Sequence, residues 1–225
     1  MGRDYFHTNS GSVRFIMFDD PKAAKLSAEQ RQFLMDYVNA ADAAIVSGKG
    51  YEEYIDIQSF CDWIIMHELT CNLDSCFRRS CCFTKDKGGK LRMGPVWDFD
   101  MAFGNFSYDF GNYKKWFTIG TADADSYIHV NWCNYLMNDP EFRAAIKARW
   151  FEVRDTLLDA AKRSIAKNKA RIEASQMENF AVWDIWDKRI GYESWTTVNI
   201  KTYDEQIKYI EDFLDERAKW IDENI

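Results

Sequence analysis

The chain has 225 residues, 47% of them hydrophobic and 16% aromatic, with a net charge of −7. That is enough apolar material for one large packed domain, and it argues against a disordered chain. The acidic balance argues against nucleic-acid binding, which needs a basic surface, and no apolar run approaches the ~20 residues of a membrane span.

Residues 1–12 are polar, lack a period and read as an N-terminal extension. Residues 13–18 form a short apolar run that suits a strand, closed by Asp19-Asp20-Pro21. Ser27 then reads as an N-cap, with Gln30 completing a capping box. Phe33, Leu34, Tyr37, Val38, Ala41, Ala44 and Ile45 follow at helical spacing until Gly48 and Gly50 stop the helix. Asp56 caps a second helix that buries Ile57, Phe60, Cys61, Ile64, Ile65 and Leu69, then enters the loop at 70–74. Gly88-Gly89 between two strand-like runs, 81–86 and 91–97, predicts a hairpin.

Residues 103–125 are rich in Gly, Asn, Asp and aromatics and read as a long loop. Ser126 is expected to cap a helix over 127–137, and Asp139-Pro140 to open another that continues through Phe142, Ile146, Trp150, Val153 and Leu157. A further helical segment spans about 160–180, and Thr202 with Glu205 opens a last helix through Ile207, Ile210, Phe213, Leu214 and Ile221. The expected fold is α+β and mostly helical, one domain over 13–225 with one hairpin.

Candidate chemistry starts at Trp97-Asp98-Phe99-Asp100. An extended run projects Asp98 and Asp100 one way and packs Trp97, Phe99 and Met101 the other. Carboxylates beside an apolar wall need a cation or hydrogen-bond donors, so a divalent metal competes here with a capped turn or a salt bridge. Asp74 lies 14 residues before the hairpin apex at Gly88 and Asp98 lies 10 after it, so antiparallel pairing makes their loops neighbours. Three carboxylates can then converge, although Asp74 alone could simply brace a turn.

Other residues carry a bland reading beside the sharp one. His67 could steady the Asp74 loop or be a structural histidine, and Arg78 and Arg79 could meet phosphate or pair with Asp98 or Asp100. Five of the six cysteines (Cys61, Cys71, Cys76, Cys81, Cys82, Cys133) fall within 22 residues, but without a C-x-x-C pair they read as buried thiols rather than a zinc site. Trp183, Trp186, Trp195 and Trp220 fall among apolar helical positions and read as core. Asp204, Glu205, Glu211, Asp212, Asp215 and Glu216 read as a solvated helix face.

The order helix, Asp loop, hairpin, Asp loop is how protein kinases build their catalytic lobe. The runs His67-Glu68-Leu69-Thr70-Cys71-Asn72-Leu73-Asp74-Ser75, Lys85-Asp86-Lys87-Gly88-Gly89-Lys90-Leu91 and Gly94-Pro95-Val96-Trp97-Asp98-Phe99-Asp100-Met101-Ala102-Phe103-Gly104-Asn105 resemble the CotH kinase-like family, named for a spore coat protein. The likeness extends more loosely over Asp139-Pro140-Glu141-Phe142, Arg149-Trp150 and the last helix with Arg217, Ile221 and Asp222. It implies the large lobe of an atypical protein kinase fold and transfer of phosphate from ATP to protein Ser or Thr. It implies a catalytic role for Asp74, magnesium or manganese binding at Asp98 with Asp100 as second ligand, and loop orientation by Asn72. It also implies a protein substrate or a coat or surface partner, and an extracytoplasmic location.

The chain departs from the kinase pattern in two ways. Kinases commonly place a magnesium-binding Asn five residues after the catalytic Asp, where this chain has Arg79. Residues 1–12 are too few for a small lobe and no G-x-G-x-x-G occurs, so little activity is expected of this chain alone, and ATP with its metal only of the full-length protein. The alternative is a non-catalytic coat or surface module that keeps the fold. A metal-dependent sugar enzyme would need a Rossmann-like alternation that the sequence lacks.

Overall fold

The computed structural model describes residues 4–74, 76–106, 114–123, 128–191 and 193–225. Two short antiparallel ladders accompany six helices within this span. Strand β1 (Tyr5–Phe6) pairs with β2 (Ile16–Met17), and helix α1 covers Ala28–Ser47. Helix α2 (Ile57–Thr70) leads to the hairpin of β3 (Phe83–Lys85) and β4 (Leu91–Met93). Helices α3 (Trp132–Asn138), α4 (Pro140–Val182), α5 (Trp195–Val198) and α6 (Tyr203–Asn224) complete the chain. The fold is therefore α+β and mostly helical, with a second small hairpin beyond the one expected. No helix of the described residues is long and apolar enough to cross a membrane.

Local sequence sets most helix ends. Ser27 and Gln30 form the reciprocal capping box of α1, and left-handed Gly48 ends it. Asp56 caps α2 through the Ser59 amide, Asp139 caps α4 ahead of Pro140, and Thr202 caps α6. Helix α3 starts later than expected. Its cap is Asn131, reciprocated by Asn134, while Ser126, the expected cap, and residues 107–113 and 124–125 of the expected 103–125 loop lie outside the described residues. The two segments expected at 140–157 and 160–180 are one helix of 43 residues, about 64 Å long.

Helix α2 is buried on most sides, between α4 and α6. Phe60, Ile64, Leu69, Trp132, Phe142, Ile146, Trp150, Leu214 and Ile221 join one core around it. Polar ties fix the layers. Arg149 on α4 pairs with Asp62 on α2 at 2.6 Å, and Trp150 and Arg154 on α4 both donate to Asp222 on α6 at 2.8 Å. Buried Asp42 on α1 accepts from Trp132 Nε1 (2.9 Å) and from Ser10 and Ser12 (2.8 and 2.5 Å), which holds the 8–13 turn against the body.

The outer half of α4 behaves differently. Leu158 is its last fully buried residue, and beyond it Lys162 and Lys169 reach across to Asp215 and Asp204 of α6, each at 2.6 Å. Part of the acidic α6 face is thus paired rather than merely solvated. Trp183 and Trp195, expected in the core, are 66% and 58% exposed, because the chain there has passed the end of the packed layer.

Candidate active site

Strand β4 is sewn to the start of α2: Leu91 exchanges bonds with Tyr54 and Asp56, and the Met93 amide donates to Ser59 Oγ at 3.2 Å. The chain then runs alongside α2 toward its C-terminal end, where the Phe103 amide donates to Thr70 O at 2.7 Å. This course, as much as the hairpin, carries Asp98 and Asp100 to the loop that follows α2.

That loop begins with Cys71 in a left-handed conformation, its amide and that of Asn72 bonded to the Glu68 and His67 carbonyls. Asn72 is fully buried. Its Nδ2 donates to the Asp98 carbonyl at 2.9 Å while its Oδ1 accepts the Asp74 amide at 3.3 Å. One side chain therefore joins the two loops. Asp74 is buried at 6% exposure, and Ser80 Oγ donates to Asp98 Oδ2 at 2.9 Å.

Asp98 and Asp100 are both exposed. The Asp100 carboxyl is held above its usual range, first by desolvation, then by the charge of Asp98 and a hydrogen bond to it, with Asp74 adding in the same direction and the Met101 amide opposing. Asp100 thus lies within the electrostatic reach of both other carboxylates.

Two expectations about this segment are corrected. Asp98 has φ of +64°, so the run is kinked there rather than extended, and the side-chain alternation fails. Trp97 is 58% exposed instead of packed, whereas Phe99 stacks on His67 at 5.4 Å and 9° and Met101 packs, as expected, against the buried cluster of Cys71, Leu73 and Phe213. His67 is fully buried between Phe99 and Trp63, and burial lowers its pKa to about 3, so it is neutral near pH 7. Arg79 is exposed, its amide donates to Asp74 O at 3.0 Å, and its side chain forms no ion pair among the described residues. Among the described residues, five of the seven non-glycine residues with positive φ (Cys71, Phe77, Ser80, Asp98, Phe103) fall in these two loops, and such strain collects at functional sites.

Two residues given no role from sequence hold the loops from below. Glu68 is 1% exposed and Arg217 of α6 is fully buried. Arg217 donates to Glu68 Oε2 and to the Glu68 carbonyl, both at 2.7 Å. Glu68 also accepts the Phe117 amide (2.9 Å), the Thr118 amide (2.6 Å) and the Thr118 hydroxyl (2.5 Å). A second strut is Tyr209 of α6, whose hydroxyl donates to Phe103 O at 3.0 Å. It lies so close to left-handed Gly104 that a Cβ there would stand 2.7 Å away, leaving room for glycine only.

All six cysteines are free. Burial pushes the Cys61 and Cys71 thiols up to about 12, and no three His, Cys, Asp or Glu side chains are gathered to hold a metal among the described residues. A magnesium site of the phosphotransfer kind needs less, one or two carboxylates completed by phosphate oxygens. Asp98 and Asp100, exposed and close enough for the charge of one to raise the pKa of the other, fit that donor set.

A buried helix delivers one carboxylate loop, and the chain leaving the hairpin brings a second loop beside it, an order that suits a kinase-like fold. Residues 15–221 match the family described as CotH kinase protein, and the chain belongs to that family. Comparison with curated proteins and with solved structures returned no match.

Proposed function

We propose that this chain is the catalytic-lobe portion of a CotH-type kinase, which transfers phosphate from ATP to a Ser or Thr hydroxyl of a protein. The observation that carries this reading is Asn72, which bonds the Asp74 amide and the Asp98 carbonyl at once. Phosphoryl transfer is mostly positioning and charge stabilisation, so locking two carboxylate loops together is the central structural demand.

Asp74 accepts the proton of the acceptor hydroxyl and orients its oxygen. Asp98, fixed by Ser80 Oγ and by its own carbonyl, and Asp100 beside it hold magnesium or manganese. Bound there with the nucleotide, the cation supplies charge neutralisation at the phosphate oxygens. His67 and Phe99 form an apolar floor that keeps the Asp98–Asp100 turn in place. Family membership and the spore-coat protein for which the family is named also support an extracytoplasmic, coat- or surface-associated setting and a protein partner there.

The test is phosphate incorporation from labelled ATP by the full-length protein. Asp98→Ala and Asp74→Asn are each expected to lower it at least about 100-fold, the scale of losing a charge-positioning group. Rates equal to the unmodified protein would remove both residues from the mechanism. Arg79, exposed and without an ion pair among the described residues where kinases place a magnesium-binding Asn, favours a second reading, a non-catalytic module. Calorimetry showing no binding of magnesium and ATP by the full-length protein would select it.

A further inference from the structure

Asp100 has a neighbour that phosphate chemistry leaves unused. It stands on the lip of a cavity of about 550 Å³, between the Phe99–Asn105 loop, the end of α4, α5 and the first half of α6. The volume is that of a ligand pocket. Phe99, Phe103, Phe180, Trp186, Ile207 and Ile210 form its walls, and all are only half-buried. The Phe180 and Trp186 rings lie 4.4 Å apart at the far end.

Most polar side chains in the wall already have partners. Asn105 Oδ1 accepts the Thr197 hydroxyl at 2.8 Å, and Gln206 Nε2 donates to the Thr197 and Ile200 carbonyls at 2.8 and 3.2 Å. Lys188 pairs with Asp184 at 3.0 Å, and Glu193 accepts the Gly191 amide at 2.7 Å. A sugar or nucleotide would need donors and acceptors that this wall has spent on itself. Apart from the Tyr203 hydroxyl and Asp100 at the lip, what remains is hydrocarbon and aromatic surface, continuous through Phe99 with the carboxylate pair.

We infer that the cavity seats an aromatic or large aliphatic side chain of the acceptor polypeptide, close in sequence to the hydroxyl presented to Asp74. The identity of the occupant as acceptor rests on the phosphotransfer reading; the apolar preference rests on the wall alone. Selection is then for a hydroxyl residue with a large apolar neighbour. Full burial of one such side chain corresponds to about 10- to 100-fold in affinity.

The experiment is fluorescence anisotropy of the full-length protein with labelled peptides carrying one Ser and one Phe, or Ala in place of Phe, without nucleotide. The Phe peptide is expected to bind about 10- to 100-fold tighter. Ile190→Asp and Ile185→Asp, at exposed rim positions (65% and 37%), should bring it down to the Ala peptide. A Phe preference abolished by the rim variants, with no phosphate transfer to either peptide, keeps the pocket and removes the phosphotransfer reading. Equal binding of both peptides, or binding of neither, overturns the pocket even where phosphate is transferred. Capture of laurate with no Phe preference overturns it in favour of a lipid site.

Discussion

Asn72 spends both ends of its amide on backbone, one end for each acidic loop, so the spacing of Asp74 and Asp98 follows from a single planar group. His67 is the other residue whose position has a measurable consequence. Its pKa falls from 6.5 unfolded to about 3 folded. Above pH 6.5 both states are neutral and nothing is lost. As pH falls toward 3 only the unfolded state takes up the proton, so stability declines across that window, by several kcal/mol at its acid end. His67→Phe keeps a ring against Phe99 and is expected to flatten the fall of unfolding free energy between pH 6.5 and 4, read by urea titration at each pH. Residue chemistry was partly legible in the sequence. That the Asp74 and Asp98 loops are neighbours followed from their spacing about the hairpin. The kink at Asp98 was not legible, because a left-handed φ on an aspartate leaves no mark in the hydrophobic pattern. Glu68 and Arg217 left one: each is a charge at a core position, Glu68 in register with Ile64 and Ile65, Arg217 with Phe213, Leu214 and Ile221. Opposite charges on two buried stripes mark a pair that must meet.

At the level of elements, that pair makes α2, α6 and the 116–118 segment one unit. The partners are not equivalent. Removing Glu68 strands two amides, a hydroxyl and a guanidinium, whereas removing Arg217 leaves the carboxylate its amide and hydroxyl donors. Glu68→Leu is therefore expected to destabilise by about 3–5 kcal/mol and Arg217→Met by less, as shifts of denaturation midpoint with unchanged slope. The reverse order would mean that the ion pair, not the amide cradle, dominates. Elements with chemical punctuation were readable in advance: Ser27 with Gln30, Gly48, Asp56, Gly88-Gly89 and Asp139-Pro140. Strand β2 lies within the run 13–18 read as a strand, but its partner β1 escaped because two residues give no period. The continuity of α4 escaped because its outer half buries so little that neither face is marked by hydrophobic spacing.

For the molecule as a whole, the last helix does more than close the core. Helix α6 supplies Tyr209 to the loop after Asp100, Arg217 to Glu68, and Asp204 and Asp215 to the outer half of α4. Ending the chain after residue 200 is expected to leave a collapsed state that keeps far-ultraviolet helix signal, loses the near-ultraviolet aromatic signal and binds ANS. A sharp, cooperative unfolding transition in that truncation would show that the site folds without α6. The 149-residue separation of Glu68 and Arg217 also has a meaning in time. At about 5–20 residues per second, Arg217 is synthesised roughly 7–30 s after Glu68. For most of that interval the nascent chain already holds all three aspartates and lacks the guanidinium that fastens Glu68 beneath their loops. A half-made chain thus carries its acidic loops without their fastening, and the buried ion pair forms only once α6 has been made.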